Sequence, residues 1–133
     1  QILCGDAATI ERAHRLRKMF GGGMRQAGIL AAAASYALAH HVERLRDDHD
    51  NARRLAAGLE AAGLAVDPPP ATNIVLFHCE RDTELAAALR RRGVLVNVMR
   101  RGTLRAVTHL DVDRDDIEEA ITRCAEAARA SPD

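Results

Sequence analysis

The sequence predicts an α/β chain that closes in a small α+β domain. Apolar residues recur at helical spacing through the first sixty residues, whereas runs rich in Ile, Val, Leu and Phe at 73–79, 94–99 and 104–110 read as strands. Between the two regimes stand Pro68, Pro69 and Pro70, which lack a backbone N–H and fix φ, so regular structure cannot pass through them. After Pro70 the order is strand, helix, strand, strand, helix, an arrangement that lays helices on one side of a small sheet.

Asp6 supplies an N-cap for a first helix reaching about Phe20, with Ile10, Ala13 and Leu16 on one stripe. Gly21, Gly22 and Gly23 break it. A second helix starts near Met24, and its middle, Ile29 to Leu38, is apolar or small on every side, as expected of a core or interface helix. A third runs from His41 to Ala62, with Val42, Leu45, Ala52, Leu55 and Leu59 along one face and Glu43, Arg46, Asp47, Asp50 and Arg53 along the other. Gly63 takes the C-cap role. Asn73 to Cys79 is a strand, and a helix capped by Asp82 and stopped by Gly93 follows. Val94 to Met99 and Leu104 to Leu110 are strands, and Asp113 opens a last helix that buries Ile117, Ala120, Ile121 and Cys124. The chain opens at Gln1 directly into Ile2, Leu3 and Cys4, which reads as the inside of a strand and leads us to expect a piece of a longer polypeptide.

Composition narrows the classes of partner. With 47% hydrophobic and 29% charged residues the chain has a globular balance, which excludes a disordered or fibrous reading. Nineteen basic side chains against nineteen acidic ones leave no net field toward nucleic acid or an anionic membrane. The most apolar stretch, Ala27 to Ala39, falls well short of the ~20 residues that span a bilayer. Cys4, Cys79 and Cys124 are odd in number and far apart, so neither a disulfide framework nor a zinc site is expected, and the compartment is read as reducing and cytoplasmic. No metal site is expected either, because His40, His41 and His78 lack ligand spacing.

Two places could carry chemistry. Gly21-Gly22-Gly23 followed by Met24-Arg25-Gln26 sets flexible backbone beside the expected helix start, where free amides and the helix dipole attract an anion such as phosphate, with Lys18 and Arg25 flanking it. The alternative is a helix break that needs unusual backbone angles, with Arg25 on the surface. Arg105, between Leu104 and Ala106, points away from the face these two share. It either grips a carboxylate with its planar fork or is a solvated arginine beside Arg100 and Arg101. His109 and Asp111 fall on the same strand face by alternation. The arginines at 90–92 and 100–101 read as solvated surface, since Phe20, Tyr36 and Phe77 are the only aromatic rings and do not interleave with them.

Three segments carry a family resemblance. The run Arg15 to Ala33, centred on Phe20-Gly21-Gly22-Gly23-Met24-Arg25-Gln26, the run Glu43 to Ala52, and the run Leu104-Arg105-Ala106-Val107-Thr108-His109-Leu110-Asp111-Val112 resemble the low-specificity L-threonine aldolases in order and spacing. What the resemblance implies is the pyridoxal-phosphate-dependent transferase-like fold, with residues 1–40 as the tail of the large cofactor-binding domain and 41–133 as the C-terminal small domain. It further implies a homodimeric or homotetrameric lyase that cleaves threonine or allo-threonine to glycine and an aldehyde. On that template Arg105 binds the substrate carboxylate, and Lys18 and Arg25 lie near the cofactor. A Schiff base to the cofactor needs a lysine amine, and Lys18 is the only lysine. The family's lysine lies upstream of the segment that Gln1 to Gly5 resembles, so no catalytic residue is assigned here and the isolated chain is expected to be inactive. Two other readings are an aromatic or sulfur amino acid β-eliminating lyase, and a non-catalytic dimerisation remnant.

Overall fold

A computed structural model describes residues 2–130. Packing divides the chain between His41 and Val42 into two units.

In the first unit α1 spans Ala7–Met19, and the Asp6 carboxylate accepts the Thr9 N–H at 2.8 Å, which holds its pKa below the usual carboxylate value. The glycines that follow close this helix. Gly21 adopts φ +84°, and the Gly22 N–H bonds back to the Arg17 carbonyl at 2.8 Å. A Cβ on Gly22 would lie 2.6 Å from Arg17 Cγ and 2.8 Å from that carbonyl, so only glycine fits. Helix α2, Gly28–His40, begins four residues later than expected. Residues 25–27 form a turn, no side chain caps the helix, and its first bond runs from the Ala31 N–H to the Ala27 carbonyl. None of its side chains is buried among the described residues, with Ile29 at 79% and Leu38 at 66% exposure. The strand expected at the start is not formed: Ile2 to Cys4 are irregular and exposed, and Gln1 lies outside the described residues.

The second unit is built from α3 (Leu45–Ala61), β1 (Ala65–Val66), β2 (Ile74–His78), α4 (Asp82–Arg91), β3 (Asn97–Arg100), β4 (Thr103–Val107) and α5 (Arg114–Arg129). Its four strands lie in the order β1-β2-β4-β3, antiparallel throughout. Val75 and Phe77 of β2 and Leu104 and Ala106 of β4 are buried with Leu55 and Leu59 of α3, Leu85 and Leu89 of α4, and Ile117 and Cys124 of α5. The residues between them on the strands, Ile74, Leu76, His78, Arg105 and Val107, are half-buried or exposed, with Thr103 alone buried among them, so one sheet face is covered by helices and the other is largely open.

The elements depart from the sequence pattern where local bonds override periodicity. Helix α3 starts at Leu45, which leaves Val42 in a turn and both Val42 and Leu45 exposed. The buried stripe begins instead at Asp48, whose carboxylate takes the Arg44 guanidinium in a two-bond fork at 2.7 and 3.1 Å. Strand β3 begins three residues late because Val94 is held in the C-terminal motif of α4: its N–H bonds the Leu89 carbonyl at 3.0 Å beside Gly93 at φ +79°. Strand β4 ends at Val107 because Thr108 turns into the core, its hydroxyl donating to the Asp48 carbonyl at 2.7 Å and its N–H to the Asn73 carbonyl at 3.0 Å. The short β1, pairing Ala65 with His78 and Val66 with Phe77, was hidden by the prolines just after it. Asp82 is not the cap of α4, since Arg81 takes that position; the Asp82 carboxylate accepts the Gly102 N–H and the Thr83 hydroxyl. Gly63 and Asp113 hold their expected roles: Gly63 at φ +86° closes α3, and Asp113 forms a reciprocal capping box with Asp116 at α5.

Two outcomes follow from this packing. A Cβ on Gly58 would meet three carbons of Ile121 at 2.5–2.6 Å, where α3 and α5 touch. Gly58→Ala should therefore destabilise the unit by about 1–2 kcal/mol from overpacking, despite the helix propensity of alanine, seen as a lowered Tm in thermal denaturation. The Asp82 pKa lies below 3.8 because the Gly102 N–H and the Thr83 hydroxyl bond its charged form. Its contribution is thus present above that ordinary value and fades as pH falls through the lowered one. Denaturant midpoints of Asp82→Asn should vary less with pH below about 4 than those of the parent chain.

Candidate functional site

Cross-strand register builds the first candidate site on the open face of the sheet. Arg105 stands at the middle of β4, with Leu76 of β2 directly opposite on one side and Asn97 of β3 on the other. Because Leu104 and Ala106 are committed to the helix side, the Arg105 side chain is forced onto the open face. Its Nε is buried with no hydrogen-bond partner, and the guanidinium has no ion pair among the described residues. An N–H taken from water and left unmatched costs free energy, about 1–3 kcal/mol, until an acceptor arrives. The strand residues that share this face by register are Ala65, Ile74, Leu76, His78, Asn97, Arg100, Thr103 and Val107, and none is a carboxylate. Among these strand residues Arg105 and Arg100 therefore bring positive charge with no carboxylate beside it.

Beside Arg105 runs a hydrogen-bonded chain that sequence reasoning missed. The Arg100 Nε–H donates to Thr103 Oγ1 at 3.3 Å, Thr103 Oγ1 meets His78 Nδ1 at 3.3 Å, and His78 Nε2 meets the Asp67 carbonyl at 3.2 Å. A carbonyl only accepts, so Nε2 carries the proton and Nδ1 accepts from the hydroxyl. No motif signalled this. The strand register, with His78 opposite Thr103 and Arg100 opposite Thr103, brings the three together.

His109 and Asp111 do not share the Arg105 face as alternation suggested, because the strand has ended. They lie exposed in the turn closed by the Val112 N–H to the His109 carbonyl, 3.6 Å apart from Nδ1 to Oδ2. A cavity of about 340 Å³ opens beside residues 93–96, which lead into β3, and is lined by Phe77, Val96, Ala106, Ile117 and Cys124, and Arg105 takes no part in its wall.

The second candidate lies in the first unit. His14, Arg15, Arg17 and Lys18 line a depression with Glu11, Gly22, Gly23 and Met24, and the Lys18 ammonium folds over Gly23, 3.1 Å from where a Cβ would stand. The glycine backbone follows the helix-break alternative. It sits at the C-terminal, negative end of α1, the Gly22 amide is already bonded, and the start of α2 lies beyond it at Gly28. Positive charge here comes from side chains alone. Arg25 is exposed in the turn before α2 and does not line this depression. Among the described residues no cluster could hold a metal ion, and no helix is long and apolar enough to cross a membrane.

The comparisons with known proteins fit this architecture. Superposed on 8-amino-7-oxononanoate synthase from Francisella tularensis, the chain gives a TM-score of 0.72 at 16% identity, covering 95% of this chain and 40% of that one. Serine palmitoyltransferase from S. paucimobilis with bound PLP gives 0.62 at 25% identity, over 71% and 27% of the two chains. The fold class is that of the pyridoxal-phosphate-dependent transferases. Within it, the chain belongs to the beta-eliminating lyase family, whose model matches residues 1–82. A relative in Escherichia coli K12, a low specificity L-threonine aldolase, is 45% identical over 120 residues. Those residues are 89% of this chain and 35% of the relative, so the chain spans about a third of that protein's length.

The cysteines sort by burial. Cys4 is exposed, Cys79 half-buried, and burial raises the Cys124 thiol pKa to about 11. Titrated with a thiol reagent at pH 8, Cys4 should react at once and Cys124 only after denaturant unfolds the chain.

Proposed function

We propose that the chain is part of a pyridoxal-phosphate-dependent lyase that cleaves L-threonine, L-allo-threonine and similar β-hydroxy-α-amino acids to glycine and an aldehyde. The observation that carries this reading is Arg105, an arginine with a buried unmatched N–H whose strand neighbours on the same sheet face include no carboxylate. The 45% identity to the Escherichia coli aldolase supplies the substrate class.

Each residue has a bounded task. Bound pyridoxal phosphate supplies an electron sink for breaking the Cα–Cβ bond. Arg105 offers its planar fork to the substrate carboxylate, which orients Cα and removes the rotational freedom that would otherwise oppose reaction. Lys18, in the cationic group at the end of α1, and Arg25, in the turn that follows, place positive charge for the cofactor phosphate. Residues 1–40 are read as the tail of the large cofactor-binding domain and 41–133 as the small domain. The exposed apolar surface of α2 supports a homodimer or homotetramer, and a cytoplasmic location completes the reading.

An exchange experiment tests it. Placed in the Escherichia coli aldolase in place of the matching segment, this chain should support turnover of L-threonine to glycine and acetaldehyde, whereas the 133-residue chain alone should not. In that exchange protein Arg105→Ala should raise KM for threonine roughly 10- to 100-fold, the worth of a hydrogen bond to a charged group, with cofactor absorbance retained. Loss of cofactor ahead of any KM effect would remove the carboxylate role. Release of ammonia and a keto acid in place of glycine would overturn the assigned cleavage.

A further inference from the structure

The open sheet face gives Arg105 two unlike neighbours. Leu76 on β2 offers no polar atom, while Asn97 on β3, paired with Arg105 in the antiparallel register, offers an amide with two donors and one acceptor. Directly opposed residues of an antiparallel pair share a face with Cβ atoms roughly 4.5–5.5 Å apart, within reach of one small ligand. The Asn97 side chain is exposed and makes no hydrogen bond among the described residues, and it does not serve the orphaned Arg105 Nε. Arg105 and Asn97 thus form an adjacent pair of unused donors, with no carboxylate among the strand residues of that face.

We propose that Asn97 is a second ligand-binding residue, its amide N–H donating to the same carboxylate that Arg105 holds. The inference rests on the carboxylate role proposed above for Arg105 and adds to it a residue on a different strand. A guanidinium alone can pivot about its long stem and take a carboxylate in several poses. A donor fixed on the neighbouring strand allows one of them, because it must point at an oxygen that the Arg105 fork has already placed. The residue type is informative. Aspartate at 97 would fill the Arg105 fork from within the protein, and an apolar residue would leave one carboxylate lone pair without a donor. Asparagine instead adds a donor and leaves the arginine charge free. Edge strand β3 carries the group, and the bulge between Val98 and Arg100 turns the strand just beyond it.

The test uses the full 133-residue chain, labelled with ¹⁵N and titrated with sodium acetate, with sodium chloride as the ionic-strength control. The Arg105 Nε–H and Asn97 side-chain amide resonances should move along one isotherm. Asn97→Ala should weaken the acetate constant roughly three- to tenfold, the effect of one charge-assisted hydrogen bond. Asn97→Asp should abolish the Arg105 response by occupying its fork, and Arg105→Ala should abolish the Asn97 response. If Arg105 responds to acetate while the Asn97 amide stays still, or if Asn97→Ala titrates like the parent chain, the Asn97 role is wrong and the Arg105 role stands. If neither resonance moves beyond the chloride control, the Arg105 reading fails as well. Asn97 is exposed on an edge strand, so the variants should keep the parent's dispersed spectrum, and a variant that does not leaves the Arg105→Ala arm to decide the coupling.

Discussion

The commitment of Leu104 and Ala106 to the helix side of the sheet is the constraint from which the rest follows. Both are locked against α3, α4 and α5 in the core, and a strand alternates, so residue 105 has one face left to it. An arginine placed there cannot retreat into helix packing, and its neighbours by register supply no acid. The covered face thus holds the unit together and, by the same geometry, aims a cation at whatever occupies the open one. Capping supports the arrangement from both ends. Asp113 with Asp116 starts α5, Asp82 ties α4 to the β3–β4 turn at Gly102, and the Thr108 hydroxyl pins the end of β4 to α3.

How much of this could be read from the residues depended on whether a local signal competed with a longer-range one. The helix starts at Asp6 and Asp113 were legible because a short acidic side chain followed by periodic apolar residues has one favoured geometry. The stop at Gly63 was legible for the same kind of reason. The start of α2 was not, since nothing between Gly23 and Ala27 caps it and the turn there left no chemical mark. The ends of β3 and β4 were misplaced because runs of Val and Leu continue past the last ladder bond, while the decisive bonds, Val94 to Leu89 and Thr108 to Asn73, involve backbone atoms.

The candidate site divides in the same way. Arg105 was legible from its apolar neighbours, but its unmatched Nε arises from packing in three dimensions, which no local pattern encodes. Asn97 and the Arg100–Thr103–His78 chain were invisible in one dimension, since their significance lies in which residue faces which across the sheet. The triple glycine shows the opposite case. Its composition suggested an anion cradle, whereas the backbone bonds show that two of the three glycines terminate a helix.

Helix α2 carries a last consequence. Four consecutive alanines, Ala31 to Ala34, follow Ile29 and Leu30 along its exposed surface. Alanine has no rotamers to freeze, so covering this helix sacrifices little side-chain freedom for the area removed from water. Its short methyl groups also let another backbone approach more closely than leucine or phenylalanine would allow. A rod of this kind favours tight, shape-determined contact over adaptable contact.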